Sequence, residues 1–185
     1  MKKHMPGFLL ILVTSISVQA QLTVAAQEGY SPQVGVMVSM LDDLKGRITR
    51  MVKDLNQEET DFLMDDQANR IGALILHLAA TEVYYQVYTF EERNFTKEEE
   101  KKWDAALNLG NDGREELKGK PIRYYLGIWD EVRTKTKEQL KAKDDDWFAK
   151  NAPGNRMTNH WAWFHVMEHQ SNHMGQVAII RKRML

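Results

Sequence analysis

Residues 160–176 read HWAWFHVMEHQSNHMGQ and carry four of the six histidines of the chain. His165, His169 and His173 are four positions apart, so on an α-helix they share one face over two turns. His173 falls on the apolar seam of this helix and His169 borders it, which directs both rings toward the interior. Buried imidazoles need polar partners, and a histidine pair at i and i+4 is a common way for a helix to hold a divalent metal. The alternative is that one ring is a hydrogen-bonded core histidine and the others are exposed.

The letters HVMEH, residues 165–169, also match the inverted zinc-protease pattern H-x-x-E-H. In that interpretation His165 and His169 bind the metal and Glu168 is the catalytic base. Such a site needs a third ligand, usually an acidic residue well downstream. The sequence after His169, QSNHMGQVAIIRKRML, contains no acidic residue. The protease interpretation is therefore disfavoured, and we expect the third ligand to come from another helix.

The remaining histidine in a predicted helix interior is His77, within GALILHLAATE. Its neighbours at helical spacing form a mostly apolar stripe: Ala73, Leu74, Thr81 and Tyr84. The His77 ring should therefore face the interior of the protein. A single core histidine is more often structural, but opposite a histidine pair on another helix it becomes a candidate third ligand.

Helical periodicity extends over the whole chain, and no segment alternates as a half-buried strand does. Four long amphipathic helices are predicted: one opening at Ser31 and Pro32, one over about 67–90, one opening at Pro121, and one from Thr158 or Asn159 to the C-terminus. Between the second and third helices we expect a short helical segment, TKEEEKKWDAALNL, and a glycine-rich break, LGNDGREELKGK. KDDDWFAKNAPGNRM is expected to be a loop. The predicted fold class is all-α, a four-helix bundle with a short extra helical segment between helices two and three.

The N-terminal segment MKKHMPGFLLILVTSISVQA has the layout of a secretory signal peptide. Lys2 and Lys3 give it a basic start, a short apolar run follows, and the segment ends in a small residue, Ala20. The apolar run is too short to span a bilayer. We therefore expect residues 1–20 to be removed, and residues 21–185 to form a single exported domain, periplasmic or secreted, with no stable membrane insertion. An uncleaved N-terminal anchor is the alternative.

The composition of the expected mature chain excludes several classes of function. Two of the 25 basic residues lie in the leader, which leaves 23 against 26 acidic residues and a net charge of about −3. This balance does not suggest binding to nucleic acid or to an anionic membrane surface. The chain has no cysteine, so disulfides and thiolate chemistry of its own are excluded. Any nucleophilic sulfur has to arrive with a substrate.

Two segments resemble a known family. IGALILHLAATE at 71–82 and HVMEHQSNHMGQVAIIRKR at 165–183 resemble the DinB superfamily, four-helix bundles that include YfiT-like proteins and bacillithiol- or mycothiol-dependent transferases. The family pattern is one histidine in the middle of helix two and an H-x3-H pair followed by Gly-Gln on helix four. Carried over, the resemblance implies that His77, His169 and His173 are the metal ligands. The export signal and the longer connection between helices two and three depart from the family pattern.

A three-histidine site of this kind is typical of catalytic rather than structural metal centres, because it leaves coordination positions open. Zinc or nickel suits three nitrogen ligands. We therefore expect a metal-dependent hydrolase or transferase that acts on a small molecule, and the resemblance adds a possible homodimer. The alternative is a non-catalytic metal-binding or ligand-binding bundle, in which a protein group closes the site.

Other residues are candidates for the surroundings of the metal. His165 could line the cavity or carry a proton, or it could lie at the mouth of the site. Asn172 and Gln176 could hydrogen-bond a ligating ring or a bound ligand, as polar groups around ligating histidines commonly do. Glu82 and Glu168 are expected at the surface or beside the site rather than as catalysts. The nearby aromatic residues are expected to be packing residues, in the core or at the end of the bundle: Tyr84, Tyr85, Tyr88, Trp161 and Trp163. The alternative for the tyrosines is that one hydroxyl reaches the cavity.

Overall fold

The structure of the protein, a computed structural model, describes residues 23–184. This part of the chain is helical and has no β-strand, with one isolated antiparallel bridge between Asn151 and Thr158. Its α-helices are Pro32–Val52 (α1), Gln57–Thr60 (α2), Ile71–Phe90 (α3), Lys97–Asn108 (α4), Gly110–Glu116 (α5), Ile122–Lys141 (α6), Asp145–Ala149 (α7) and Asn159–Arg183 (α8). A short 3₁₀ helix spans Pro153–Asn155. The predicted all-α fold is confirmed.

Four long helices form the bundle: α1, α3, α6 and α8 pack against one another, and α4 covers α3 from outside. The first twelve residues of α3 are all buried, so this helix is the centre of the core. Gly72 allows α3 and α6 to approach closely, because a Cβ atom at this position would lie 2.5 Å from Cε2 of Tyr125. The short extra helical segment predicted between helices two and three is α4.

Three expected boundaries differ from those observed. The second long helix begins at Ile71 rather than near residue 67, because Arg70 is extended and its side chain donates to the carbonyl oxygen of Asp61. The glycine-rich stretch breaks the helix at Leu109 and Gly110, which have positive φ angles, but it also contains a helix, α5, that was expected to be absent. The expected loop before the last helix contains α7, whose first turn is capped by Asp144.

The start of α1 is held by a residue from the other end of the chain. Ser31 was expected to cap this helix, but its side chain makes no cap and its hydroxyl donates to Oδ1 of Asp145 at 2.6 Å. The same oxygen accepts from the backbone N–H groups of Gln33 at 3.0 Å and Val34 at 3.3 Å. The Ser31 hydrogen bond, followed by these backbone bonds, holds the pKa of Asp145 below its usual range despite some desolvation. A carboxylate from α7 therefore replaces the local cap of α1.

The expected signal peptide over residues 1–20 lies outside the described part of the chain. Within residues 23–184, no helix combines the length and the apolar character needed to cross a bilayer.

Candidate metal centre

The structure brings together three histidines that are far apart in sequence. His77 lies on α3, and His169 and His173 lie one turn apart on α8. Nε2 of His169 is 3.1 Å from Nε2 of His77 and 2.8 Å from Nε2 of His173. The ring plane of His77 lies at 78° to that of His169 and at 77° to that of His173, so the rings point at a common centre rather than stacking. In the described part of the chain, these three residues form the one group of metal-ligating side chains close enough to share an ion.

Two of the rings are held in a defined tautomer by their second nitrogen. Nδ1 of His77 donates to the backbone carbonyl of Ala106 on α4 at 2.8 Å. Nδ1 of His173 donates to the side-chain oxygen of Gln176 at 3.0 Å. Because each ring donates through Nδ1, its Nε2 carries a lone pair that is directed at the shared centre. Anchoring of this kind is typical of histidines that bind a metal.

The surroundings keep the three rings neutral. Burial lowers the pKa of His77, although the backbone hydrogen bonds from α4 oppose this shift. Burial, followed by repulsion from the neighbouring histidines, lowers the pKa of His169 to about 3. Burial, followed by electrostatic repulsion from His77, lowers the pKa of His173 to about 4. Neutral imidazoles are the form that binds a metal, so the site is ready to accept one at neutral pH.

The three Nε2 atoms are better suited to binding a divalent cation than to hydrogen bonding with one another. A single proton on Nε2 of His169 can be donated to Nε2 of His77 or to Nε2 of His173, and the other lone pair is then left without a hydrogen-bond donor. Nδ1 of His169 is buried and has no hydrogen-bond partner within residues 23–184. A cation at the centre would satisfy all three Nε2 lone pairs at once, and Nδ1 of His169 would then carry the proton.

The other predicted site residues occupy different places. Gln176 lies beside a candidate ligand, as described above. Asn172 does not: its side chain donates to Glu168 on the exposed side of α8. His165 stacks against His169 with ring centroids 5.6 Å apart, and its Nδ1 lies 3.3 Å from Oε2 of Glu168. His165 is therefore in contact with the cluster but outside it.

The comparison with known proteins agrees with this architecture. A family model described as mycothiol-S-transferase matches residues 36–184, a span that contains all three clustered histidines. The chain belongs to the mycothiol-S-transferase family. This result also confirms the resemblance to the DinB superfamily, of which the mycothiol-S-transferase family is a member. Among proteins of curated function, none matches the chain.

This mycothiol-S-transferase family member contains a second polar cluster in the same core, which was not predicted from the sequence. Glu82 on α3 was expected at the surface or beside the site, yet it is 0 % exposed. Its carboxylate accepts two hydrogen bonds from Arg133 on α6, at 2.8 and 2.9 Å. It also accepts from the hydroxyl of Thr136 at 2.6 Å and from Nε1 of Trp129 at 3.1 Å.

Arg133 completes this network across the bundle. It is 4 % exposed and donates to the backbone carbonyl of Leu41 on α1 at 2.6 Å and to Oε1 of Gln170 on α8 at 3.2 Å. Burial opposes the charge of Arg133, but the carboxylates of Glu82 and then Asp42 outweigh it and raise the pKa. We call the side chains of Glu82, Arg133, Thr136, Trp129 and Gln170 the Glu82 network. It links all four long helices.

A sequence signal for the Glu82 network existed. Core-facing residues of α6 recur at helical spacing, and Arg133 stands within that series: Tyr125, Trp129, Arg133, Thr136 and Leu140. A charged residue at a core position implies a buried partner of opposite charge. The neighbouring charged residues in WDEVRTKTKEQ obscure this signal, because they make the segment resemble a solvated helix face.

Proposed function

We propose that this protein is a metal-dependent transferase, which holds a divalent ion with His77, His169 and His173 and uses a small-molecule thiol as one of its substrates. The observation that carries the proposal is the convergence of three neutral Nε2 atoms from two helices. The family description supplies the substrate class, since it names a thiol as the substrate. The chain has no cysteine, so the reacting sulfur has to come from a bound molecule.

Zinc or nickel is the metal that we propose, since three imidazole nitrogens suit both ions and leave coordination positions open for a substrate. Such an ion, when bound, would stabilise the thiolate form of a thiol at neutral pH. A transfer of this type removes the thiol proton to solvent and forms a bond from sulfur to an electrophilic carbon. The leaving group on that carbon departs with the bonding electron pair.

The protein's own residues would prepare the site for this reaction. The α4 carbonyl of Ala106 and the side chain of Gln176 orient His77 and His173, so that little reorganisation is needed when a ligand arrives. Burial of His77 and His173 restricts the access of water from the inner side of the cluster. His165 stands beside the cluster and is half-buried, a position from which it can contact a substrate entering from outside.

Three observations favour a transferase over the alternatives considered from the sequence. The inverted zinc-protease pattern requires His165 as a ligand, and His165 is outside the cluster of convergent nitrogens. A closed binding site requires a fourth protein ligand. Within residues 23–184, no carboxylate, thiolate or further imidazole joins the three histidines. The hydrolase alternative has less support than the transferase, because the family description names a group transfer.

We also propose that the protein is exported after removal of residues 1–20, acts in the periplasm or outside the cell, and forms a homodimer. The basic, apolar and small-residue pattern of the leader supports export. N-terminal sequencing of the mature protein after cell fractionation tests the export, and light scattering of the purified protein tests the dimer.

The test of the transferase begins with the purified, tag-free protein. Elemental analysis should find about one zinc or nickel ion per chain. The metal-loaded protein should then accelerate the conjugation of a cysteine-derived thiol to monobromobimane, and the metal-free protein should not. A chain that takes up no metal, or a conjugation rate that metal removal leaves unchanged, would refute the proposal.

A further inference from the structure

The candidate metal centre continues outward into a series of stacked aromatic rings on α8. Trp161, His165 and His169 are spaced four residues apart, and their ring planes are nearly parallel. Trp161 and His165 have centroids 5.2 Å apart at an interplanar angle of 10°, and His165 and His169 have centroids 5.6 Å apart at 12°. The series therefore extends from the clustered histidines to the surface, where Trp161 is 47 % exposed.

Tyrosines of α3 form the second side of this surface. Tyr85 lies edge-on to His165, with ring centroids 5.9 Å apart, and Tyr84 lies edge-on to Tyr85 at 5.3 Å. Tyr84 also stacks on Tyr88, with centroids 5.9 Å apart and planes at 8°. Tyr84 is 36 % exposed. We call these five rings, Trp161, His165, Tyr84, Tyr85 and Tyr88, the aromatic patch.

Trp161 and Tyr84 were expected to be packing residues, but both are exposed in the structure. Trp163, two positions after Trp161, is fully buried and does pack in the core as expected. Trp161 and Tyr84 instead leave apolar ring surface in water, which is unfavourable unless a ligand covers it. Exposed apolar surface beside a candidate site commonly marks a binding site.

We infer that the aromatic patch is a substrate subsite, which binds a neutral small molecule through a flat aromatic ring and places it beside the candidate metal centre. This inference rests on the proposed function, of which it names the second substrate: an electrophile that carries an aryl group. Ring contacts run from Trp161 through His165 to His169, at centroid distances of 5.2 and 5.6 Å, so a ring bound at Trp161 would lie two ring contacts from the candidate metal centre.

The polar groups of the patch favour an aromatic ligand over a sugar or an ion. A sugar that stacks on an aromatic ring also needs hydrogen-bond partners for its hydroxyl groups. The hydroxyl of Tyr88 already donates to the backbone carbonyl of Pro153. Burial, followed by the neighbouring tyrosines Tyr84 and Tyr88, raises the pKa of Tyr85, so its ring stays uncharged. The patch therefore offers aromatic ring faces and edges, which pair well with another aromatic ring.

The experiment measures the binding of 1-naphthylmethanol to the full-length, zinc-treated protein by isothermal titration calorimetry. Trp161→Leu and Tyr84→Leu should each weaken this binding roughly tenfold, since each removes an aromatic contact. Phe164→Leu is the matched control. Phe164 lies on the same helix and is 44 % exposed, but it makes none of the ring contacts of the patch. Its variant should bind the naphthyl probe as the unmodified protein does.

Three results would overturn the inference. They are the absence of saturable naphthyl binding, an equal loss of binding in Phe164→Leu, and tighter binding of cyclohexylmethanol or methyl glucoside than of the naphthyl probe. Zinc content measured on the same samples separates this inference from the proposed function. If the protein binds the naphthyl probe with the expected pattern but holds no zinc, the metal-dependent transferase fails, and the patch is an aryl-binding surface rather than a substrate subsite of that reaction. If zinc binds and the naphthyl probe does not, the subsite fails and the transferase stands.

Discussion

The histidine cluster and the Glu82 network are two polar clusters in one helical core, and they are built in opposite ways. In the Glu82 network, the carboxylate of Glu82 and the guanidinium of Arg133 bond to each other and to partners from all four long helices. In the histidine cluster, three ring nitrogens face one another, and Nδ1 of His169 has no partner in the described part of the chain.

This difference indicates that the Glu82 network has a structural role and that the histidine cluster binds a ligand. A buried polar group whose bonds are all made within the protein specifies how the helices pack. A group of nitrogen lone pairs that converge on one point lacks a partner within the protein, and a bound cation supplies it. The two clusters are neighbours: His169 and Gln170 are adjacent on α8, and one side chain belongs to each cluster. The Glu82 network thus holds α8 at the position where its histidines meet α3.

The largest expected effect concerns the Glu82 network. Arg133→Met should lower the free energy of unfolding by about 3–5 kcal/mol, because it leaves the buried Glu82 carboxylate without its counter-charge. Urea unfolding followed by circular dichroism measures this change. Lys137→Met is the control: Lys137 lies one turn further along α6 and pairs with Asp42 near the surface, so its loss should cost less than about 1 kcal/mol. Equal losses in the two variants would mean that the network is not the main polar link of the core.

The second prediction concerns the histidine cluster. His77→Ala, His169→Ala and His173→Ala should each abolish tight zinc or nickel binding, because two ligands on one helix are too few without a third across the core. Each variant should also lose the stabilisation by metal, about 2.7 kcal/mol at a zinc concentration 100 times the Kd. Thermal melts with and without zinc measure it. His165→Ala should keep both the metal and the stabilisation by metal. A loss of metal in that variant would show that His169 and His173 are not the correct pair of ligands on α8.

The third prediction compares the two amides that the sequence analysis placed beside the site. Gln176→Leu should weaken zinc binding about 10- to 100-fold, because it removes the partner that orients His173. Asn172→Leu should leave zinc binding unchanged, since Asn172 bonds to Glu168 on the exposed side of α8. Competition with a chromophoric chelator measures both affinities. Equal affinities in the two variants would show that the orientation of His173 does not depend on Gln176.

Near neutral pH, the smallest expected effect is the pH dependence of the metal-free protein. Burial and mutual repulsion lower the pKa of His169 to about 3 and that of His173 to about 4, whereas both start from an ordinary value of 6.5. Below pH 6.5 the unfolded chain therefore binds more protons than the folded chain, and the free energy of unfolding falls as the pH falls toward 4. Above pH 6.5 these residues are neutral in both states and contribute no slope.

Urea titrations between pH 7.5 and 4.5 measure this dependence. A variant with His77, His169 and His173 all replaced by Gln should show a shallower decline, since none of its substituted side chains titrates. An unchanged decline in that variant would place the acid sensitivity elsewhere in the protein.

The four long helices and the proximity of His77 to His169 and His173 could be predicted from the sequence, because both follow from the helical periodicity of apolar residues. Apolar stripes show which face of each helix is buried, and a histidine on such a stripe has to point inward. The partners of Glu82 could not be predicted in this way. No oppositely charged residue stands near Glu82 in the sequence, and its counter-charge lies on α6, 51 residues away. The position of Asn172 was also ambiguous. It lies three residues after His169, a spacing that shares a helix face, but one residue before His173, a spacing that does not, and in the structure it is exposed.

The Asp145 cap links the order of synthesis to the order of folding. Translation produces α1 first, but the acceptor for its opening N–H groups follows more than a hundred residues later. While the chain is still on the ribosome, the first turn of α1 has no such acceptor and is free to fray. It is closed when α7 emerges, shortly before the histidine pair of α8 is made. The first turn of α1 and the C-terminal helices thus become ordered together, and premature termination after α6 would yield a chain with neither a closed first helix nor a complete candidate site.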